Sequence, residues 1–239
     1  MSKLSEATRT KLKSVSTATV ATALFKRGLR IQMIQDVHPL GADQPTMVGE
    51  AFTLRYMPAR EDLNTIEVFR DRSHPQRKAV EDCPAGMVLV MDSRKDARAA
   101  SAGAILITRL MKRGVAGVVT DGGFRDSPEI ARLAIAAYHR RPSAPTNLTL
   151  HQAIDIGLPI ACGDVAVFPG DMVVGDAEGV VVIPAHLAEE IAAEAVEMTA
   201  FEDFVAEEVA RGRSIRGLYP PTAEHSRSDF AAWRAERGR

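Results

Sequence analysis

Apolar residues recur along the first part of the chain with two different periods, and these periods predict helices and strands. Between residues 14 and 27 the apolar positions follow helical spacing, and Gly28 supplies a natural stop. Residues 48–55 alternate as a strand does, whereas residues 86–92 form one continuous apolar run. We therefore predict an amphipathic helix followed by two strands of a core sheet.

The alternation between the two periods continues into the middle of the chain. Residues 102–113 return to helical spacing and end at Gly114, with basic residues in the last turn. Residues 115–120 then predict another buried strand. Pro128 suits the first turn of a further helix, which we predict to run towards Arg140.

The second half of the chain predicts a hairpin and a long helix. A loop rich in Pro, Ser and Thr leads to a predicted short helix around His151 and a strand over residues 158–162. Two runs of valine within residues 169–184 flank a turn-like segment, which predicts a β-hairpin. Residues 185–210 predict one long helix, and residues 229–237 predict a short final one. Strands that alternate with helices place the chain in the α/β or α+β class.

Composition and charge narrow the range of functions. The chain has 239 residues, of which 46% are apolar, so it can bury a full core. Its net charge of -1 gives no support for binding to nucleic acid or to an anionic membrane. The chain lacks a bilayer-spanning apolar run and the apolar segment of a secretory signal, so we expect a cytoplasmic protein. Cys83 and Cys162 lack CxxC spacing and are expected to be buried free thiols.

The richest candidate chemistry lies in the loop that follows the strand predicted over residues 115–120. This glycine loop, residues 121–126, contains Gly122 and Gly123, which we expect to adopt backbone conformations closed to other residues. Arg125 and Asp126 follow them. Ligands in α/β proteins commonly bind beyond the carboxyl ends of strands. A cation beside a carboxylate at this position could hold an anionic substrate and a metal ion.

Each charged residue of the glycine loop also has a purely structural interpretation. Asp126, followed by Pro128 and Glu129, would make a good helix N-cap with a capping box, and capping could coexist with a chemical role. Arg125 could form a surface salt bridge, which would contribute little. Asp121 could turn the loop or accept hydrogen bonds from groups around the site.

Two further charged segments have open interpretations. Basic residues surround His74 and are either a solvated loop or an entrance that attracts anions: Arg70, Arg72, Arg77 and Lys78. The helix predicted over residues 185–210 carries many acidic residues and no Lys or Arg. Its acidic face is either solvated or part of an arm that contacts another subunit. We divide the chain into a domain over residues 1–184 and this extension, residues 185–239, as an inter-subunit arm.

Segments around the glycine loop resemble a known protein family. The similar segments are residues 86–92, 102–106, 114–126 and 169–184. They resemble the RraA-like family (regulator of ribonuclease activity A), which includes the 4-hydroxy-4-methyl-2-oxoglutarate aldolases. The pattern G-x-x-G-V-V-x-D-G-x-x-R-D, which ends at Asp126, is fairly specific, and the resemblance covers roughly residues 14–184.

The resemblance implies a fold, an assembly and a reaction. The fold would be a swivelling β/β/α domain with a C-terminal helical extension, assembled as a homotrimer or homohexamer. The reaction would be that of a divalent-metal-dependent lyase, which cleaves a 4-hydroxy-2-oxo acid or a related oxo-acid to pyruvate. Cleavage leaves a pyruvate enolate, whose charge a metal ion and a guanidinium would stabilise. Oxaloacetate decarboxylation passes through the same enolate and is expected as a second activity.

The resemblance also implies roles for individual residues. Arg125 would bind substrate and act in catalysis, with Asp121 beside it as a catalytic candidate, and Asp126 would bind Mg²⁺ or Mn²⁺. The pyruvate carboxylate would lie on backbone N–H groups at a helix start, near three residues that we count as substrate-binding: Gly103, Ile105 and Leu106.

The chain departs from the family pattern at two positions. Ala104 stands where the family's aldolases carry an Asp that helps to order metal-bound water, and Thr22 replaces another common Asp. Other members carry an acidic residue at the position of Glu129, so we predict that Glu129 helps to hold the metal and its water. The missing acid at Ala104 also favours an alternative function, a non-catalytic protein-binding regulator that resembles the ribonuclease E inhibitor.

Overall fold

The structure is a computed structural model that describes residues 5–238, and in it helices pack against both faces of a mixed sheet. Its α-helices are α1 Glu6–Lys13, α2 Thr17–Phe25, α3 Pro75–Asp82, α4 Ala104–Lys112, α5 Ser127–Ile130, α6 Ala188–Ala210 and α7 Glu224–Arg237. Short 3₁₀ helices cover Ile66–Arg70, Asn147–Thr149 and Ala185–Leu187. Its strands are β1 His38–Pro39, β2 Met47–Pro58, β3 Val88–Asp92, β4 Ala100–Ala102, β5 Gly117–Thr120, β6 Gly123–Phe124, β7 Ala136–His139, β8 Arg141–Pro142, β9 His151–Ile156, β10 Ile160–Cys162, β11 Val165–Val167, β12 Met172–Gly175 and β13 Val180–Ile183. The predicted α/β class is confirmed.

The long strand β2 organises the main sheet, whose order is β1-β7-β5-β3-β2-β12-β13 with β9 paired to β2. Strands β2, β3, β5 and β7 run parallel to one another. The first half of β2 pairs antiparallel with β12, and its second half pairs antiparallel with β9. The predicted hairpin is confirmed as β12 and β13. Because every residue of β3 and β5 is buried, both strands read as continuous apolar runs in the sequence.

Three apolar clusters form the core around this sheet. The first lies under α3 and α4, and it includes Leu89, Ile107 and Phe124. The second fills the opposite side of the parallel strands, around Tyr138. The third packs α1, α2 and the first half of α6 against the hairpin. Cys83 and Cys162 are buried and unpaired, as predicted.

The helix α6 joins two parts of the molecule. Its first half contributes Ile191 and Ala195 to the third core cluster, so the helical extension is continuous with the domain that precedes it. Its second half packs against α7 through an aromatic cluster that includes Phe204, Phe230 and Trp233. Every helix among residues 5–238 is too short or too polar to cross a membrane.

The acidic face of α6 is matched by basic residues of the same chain. Arg27, two residues after the end of α2, pairs with both Glu190 and Glu194, with N–O distances of 2.5 Å. Arg234 of α7 pairs with Glu197 at 2.6 Å. This face is therefore an intrachain contact as well as a solvated surface, an interpretation that the local sequence did not suggest. A contact with another subunit remains a prediction, because the structure contains one chain.

One predicted helix is wrong, the helix predicted from Pro128 is much shorter than expected, and two helices, α1 and α3, were not predicted. Residues after α5 form strand β7, because Ala136 and Tyr138 pair with β5 and fill the core instead of facing solvent. His151 begins strand β9, which pairs with β2. The unpredicted helix α1 has a weakly apolar sequence, but Ser5 caps it by accepting a hydrogen bond from the backbone N–H of Thr8.

Candidate functional site

Strand β5 ends directly at the glycine loop, as predicted, but the glycines are needed for a different reason. Gly122 and Gly123 do not have positive φ angles. A Cβ at Gly122 would lie 2.7 Å from Cβ of Ser93, and one at Gly123 would lie 2.6 Å from Cβ of Ser143. Close approach of neighbouring loops therefore excludes larger residues, and the expected special backbone conformation is wrong.

A small parallel sheet brings the glycine loop to the start of α4. Strand β6, inside the loop, pairs with β4 on one side and β8 on the other. The backbone N–H of Arg125 donates to the carbonyl of Ala102 at 3.1 Å. Since α4 begins two residues after Ala102, this pairing places Arg125 and Asp126 beside the N-terminus of the helix.

Asp126 uses its carboxylate across this junction and does not cap its own helix. Its backbone is left-handed, with φ of 57°, and its side chain makes no capping hydrogen bond to α5. Instead, Oδ2 accepts a hydrogen bond from the backbone N–H of Ala104 at 3.3 Å. The predicted capping box with Glu129 is therefore wrong, because the left-handed backbone turns the Asp126 carboxylate towards α4.

Gly103 is the residue that lets the two segments meet. A Cβ at this position would lie 2.7 Å from Cγ of Arg125 and 2.8 Å from Oδ2 of Asp126. Its φ of -129° is an extended conformation open to any residue. Lack of space, not backbone strain, is thus the reason for glycine here.

These residues line a pocket of about 180 Å³. The first turn of α4 contributes Gly103, Ile105 and Leu106, which brings all three predicted substrate-binding residues to the same cavity as Arg125 and Asp126. The backbone N–H of Ile105 has no acceptor among residues 5–238. An unpaired N–H in the first turn of a helix is a favourable position for an anion.

Other pocket residues come from parts of the chain that sequence reasoning did not assign to the site. They are Phe69, Gln76, Arg77, Ala100, Ala102, Thr146 and Asn147. Gln76 and Arg77 belong to the first turn of α3, so two helix N-termini face one pocket. Arg77 belongs to the basic run around His74. That run was the one sequence feature that indicated these residues as part of the site.

The charges of the pocket are unequally compensated. Arg125 Nε lies 3.5 Å from Oδ2 of Asp126, an ion pair in which both side chains are more than one-third exposed. Asp126 is the only carboxylate among the pocket residues. Arg77 instead stacks over the Phe69 ring, with 4.5 Å from its Cζ to the ring centroid. Two guanidinium groups against one carboxylate leave a cationic pocket.

Asp121 lies on the same loop but is not brought into this pocket. Its side chain is buried, and its carboxylate accepts hydrogen bonds from the backbone N–H groups of Ser93, Lys95 and Gly163 at 2.7–3.1 Å. Burial is the main reason that its pKa is raised to about 6. The structure therefore places Asp121 as a junction between three loops behind the site.

Glu129 likewise does not join Asp126 in lining the pocket. Its side chain is exposed on α5 and does not line the pocket. Within residues 5–238, no three His, Cys, Asp or Glu side chains form a group that could hold a metal ion. Among the pocket residues, Asp126 alone is a carboxylate that could bind one, and its Oδ1 makes no hydrogen bond within residues 5–238. A single carboxylate fits Mg²⁺, which keeps several of its waters when it binds to proteins.

Comparisons with known proteins agree with this architecture. Residues 17–182 match the family model for RraA-like proteins, described as Aldolase/RraA. A relative from Halalkalibacterium halodurans, provisionally named a 4-hydroxy-4-methyl-2-oxoglutarate aldolase, is 35% identical over 130 residues; the match covers 53% of this chain and 58% of the relative. A Thermus thermophilus protein named as the same aldolase is 29% identical over 151 residues, covering 63% of this chain and 90% of its own length.

A solved structure extends the similarity along the chain. The Streptomyces coelicolor protein RraAS2, described as an unusual member of the RNase ES inhibitor RraA protein family, superposes with a TM-score of 0.71 at 28% identity. The superposition covers 89% of this chain and 100% of RraAS2. The family model spans well over half of the chain, including every residue that lines the pocket, so the chain belongs to the RraA-like family.

Proposed function

We propose that this protein is a divalent-metal-dependent lyase that cleaves a 4-hydroxy-2-oxo acid, or a related oxo-acid, to pyruvate through an enolate. The observation that carries the proposal is the pocket, in which Arg125, Asp126 and the unpaired first turn of α4 face one small cavity. Two relatives named as 4-hydroxy-4-methyl-2-oxoglutarate aldolases support the same reaction class.

The chain's own groups fit the charge that develops in such a reaction. The substrate carboxylate would accept a hydrogen bond from the N–H of Ile105, where the helix dipole also favours negative charge. Arg125 would donate to the C2 oxygen, which gains negative charge as the C3–C4 bond breaks and the enolate forms. The ion pair with Asp126 keeps the guanidinium near this position before substrate arrives.

Asp126 is the residue that would hold the metal ion. Its free Oδ1 and partial exposure suit a cation that binds through one carboxylate, water and substrate oxygens. Mg²⁺ or Mn²⁺ bound there would act as a Lewis acid for the negative charge on the substrate. Ala104 offers no second carboxylate, but its backbone N–H fixes the orientation of Asp126.

The two candidate reactions differ in their need for a proton acceptor. Aldol cleavage must remove the proton of the C4 hydroxyl, whereas decarboxylation releases CO₂ and leaves the enolate directly. Among the pocket residues only Asp126 can accept a proton, since Arg77 and Arg125 are cations. We expect oxaloacetate decarboxylation to be less sensitive than aldol cleavage to the loss of the acid at position 104.

Pyruvate release tests the proposal directly. Purified protein is given oxaloacetate, 4-hydroxy-4-methyl-2-oxoglutarate and 4-hydroxy-2-oxopentanoate, with Mg²⁺ or Mn²⁺, and pyruvate is measured with lactate dehydrogenase and NADH. We expect turnover that EDTA abolishes and added metal restores. Asp126→Asn should lower it by about 100-fold, as loss of a metal ligand or its partner does, while Asp43→Asn, in an exposed loop, is the matched control.

A second candidate function for the same fold is that of a protein-binding regulator. RraAS2 is described as a member of an RNase ES inhibitor family, and Ala104 removes an acid that the family's aldolases carry. If no substrate in the panel yields pyruvate with either metal, the lyase proposal fails. Inhibition of a ribonuclease E-type enzyme by the wild-type protein would then support the regulator.

We also propose that the active form is a homotrimer or homohexamer. Ile105, at the pocket, exposes 85% of its surface in the isolated chain, and Ile66 exposes 63%. Apolar side chains in these positions are suited to a subunit contact. Sedimentation velocity should give a mass of three or six chains, and Ile105→Glu should lower it; a monomeric wild type would exclude this assembly.

A further inference from the structure

The pocket lined by Arg125 contains a second cation, Arg77, that the proposed enolate chemistry does not use. Arg77 lies at the third position of α3, whose first turn contains no acidic residue. A positive side chain at a helix N-terminus opposes the helix dipole. The position therefore costs α3 some stability, and a ligand with negative charge would offset that cost.

Arg77 is also available for a ligand in a way that neighbouring basic residues are not. Arg70 pairs with Glu67, and Lys78 pairs with Asp82. No carboxylate of residues 5–238 lies within ion-pair distance of Arg77. Its guanidinium is held instead by the Phe69 ring, which fixes its plane without neutralising its charge.

The surrounding groups extend this anion-binding character. The backbone N–H groups of Gln76 and Arg77, in the first turn of α3, have no acceptor among residues 5–238. The Gln76 side chain is buried and held in place because its amide nitrogen donates to the carbonyl of Ser101 at 2.7 Å. The pocket thus has two sets of anion-binding groups, one at α4 with Arg125 and one at α3 with Arg77.

We infer that Arg77, stacked on Phe69, is the specificity-determining residue that selects substrates with a second anionic group at the end distant from the 2-oxo acid. The inference rests on the proposed function, because it assigns the 2-oxo acid end of the substrate to Arg125 and α4. A carboxylate at the far end would pair with the guanidinium of Arg77 and the N–H groups of α3. A substrate with one carboxylate leaves the guanidinium of Arg77 and the N–H groups of α3 without an anionic partner.

Binding of two matched, unreactive acids tests the inference without any turnover. 2-Oxoglutarate and 2-oxopentanoate have the same chain length and differ only in the distal carboxylate. Titration calorimetry with Mg²⁺ should show that the wild-type protein binds 2-oxoglutarate at least 10-fold more tightly, the range for a hydrogen bond to a charged group. Arg77→Gln should reduce that preference to about 2-fold and should leave the affinity for 2-oxopentanoate unchanged.

Arg72→Gln is the matched control, because Arg72 belongs to the same basic run but does not line the pocket. It should keep the full preference. Equal affinities of the wild-type protein for the two acids, no binding of either acid, or an unchanged preference in Arg77→Gln would each overturn the inference. A preserved preference in a protein that releases no pyruvate would instead reject the lyase and leave Arg77 as a ligand-selecting residue.

Discussion

Two carboxylates on one loop, Asp121 and Asp126, have opposite environments. Asp121 is 1% exposed and accepts hydrogen bonds from three backbone N–H groups. Asp126 is partly exposed at the pocket, where one oxygen accepts from Ala104 and the other is free. Although both residues are aspartates, the loop therefore has a structural end, at Asp121, and a chemical end, at Asp126.

The structural end and the chemical end also differ in why each needs glycine. At the structural end, Gly122 and Gly123 allow neighbouring segments to approach the glycine loop closely. At the chemical end, Gly103 of the facing segment leaves room for the side chains of Arg125 and Asp126. Glycine therefore permits backbone packing at one end and places reactive side chains at the other.

The largest expected effect is at the chemical end, for Arg125→Ala. Loss of the donor that stabilises the enolate should lower kcat by about 10²–10³-fold. The melting temperature should stay close to that of the wild type, because the Arg125 side chain is 48% exposed. Steady-state kinetics and thermal unfolding measure the two effects. Arg132→Ala, an exposed arginine outside this pocket, is the control, and an unchanged kcat/KM in Arg125→Ala would remove Arg125 from the site.

Gly103→Ala should have the next largest effect on activity. The added Cβ would approach both Arg125 and Asp126 to less than 3 Å, so both side chains must move. A displacement of about 1 Å in a reactive group can cost about 100-fold in rate. The variant should still fold, because its backbone conformation suits alanine. Kinetics that match the wild type would show that the close contact does not position the pair.

Asp121→Ala should break the structural end while leaving the chemistry of folded molecules intact. Three backbone N–H groups, two of them in buried hydrogen bonds, would lose their acceptor, and we expect a loss of about 3 kcal/mol in the free energy of unfolding. Urea denaturation measures this loss. Asp62→Ala, at a fully exposed carboxylate, should leave unfolding unchanged. A large loss of kcat in stable Asp121→Ala protein would instead support the predicted catalytic role.

The pH dependence of stability gives a second signal from Asp121, no larger than the first. The pKa of Asp121 is raised to about 6 in the folded chain, above the value of about 4 for an unfolded Asp. Its protonated form therefore stabilises the fold below pH 4, and this contribution is lost as the pH rises through 6. Relative to Asp121→Asn, the wild type should lose up to about 3 kcal/mol between pH 4 and pH 7. Parallel stability profiles for the two proteins would contradict the raised pKa.

The smallest effect is expected for Glu129→Gln. The side chain is exposed and outside the pocket, so pyruvate release should change by less than about 2-fold. The apparent affinity for Mg²⁺, measured from the metal dependence of the rate, should also be unchanged. A weakened metal affinity would restore the prediction that Glu129 helps to hold metal-bound water and would extend the chemical end onto α5.

Local sequence patterns predicted several elements well, and the failures have physical reasons. The helix α4 was predicted because its apolar spacing and the stop at Gly114 are both local signals. Strand β7 was mistaken for a helix because Ala136 and Ala137 suit either structure, and pairing with β5 decided between them. The capping interpretation of Asp126 failed because its left-handed backbone could not be read from the residues that follow it.

The sequence by itself determined the α/β class, the family and the positions of Arg125 and Asp126 at the end of a buried strand. Those features depend on the local spacing of apolar residues and on a short motif. Each of these signals lies within one continuous segment of the chain. Only the tertiary structure decided that Asp121 is buried among backbone N–H groups, that Glu129 does not line the pocket and that Arg77 lines it together with Arg125. These relations join segments far apart in the chain, and packing alone determines which of their side chains meet.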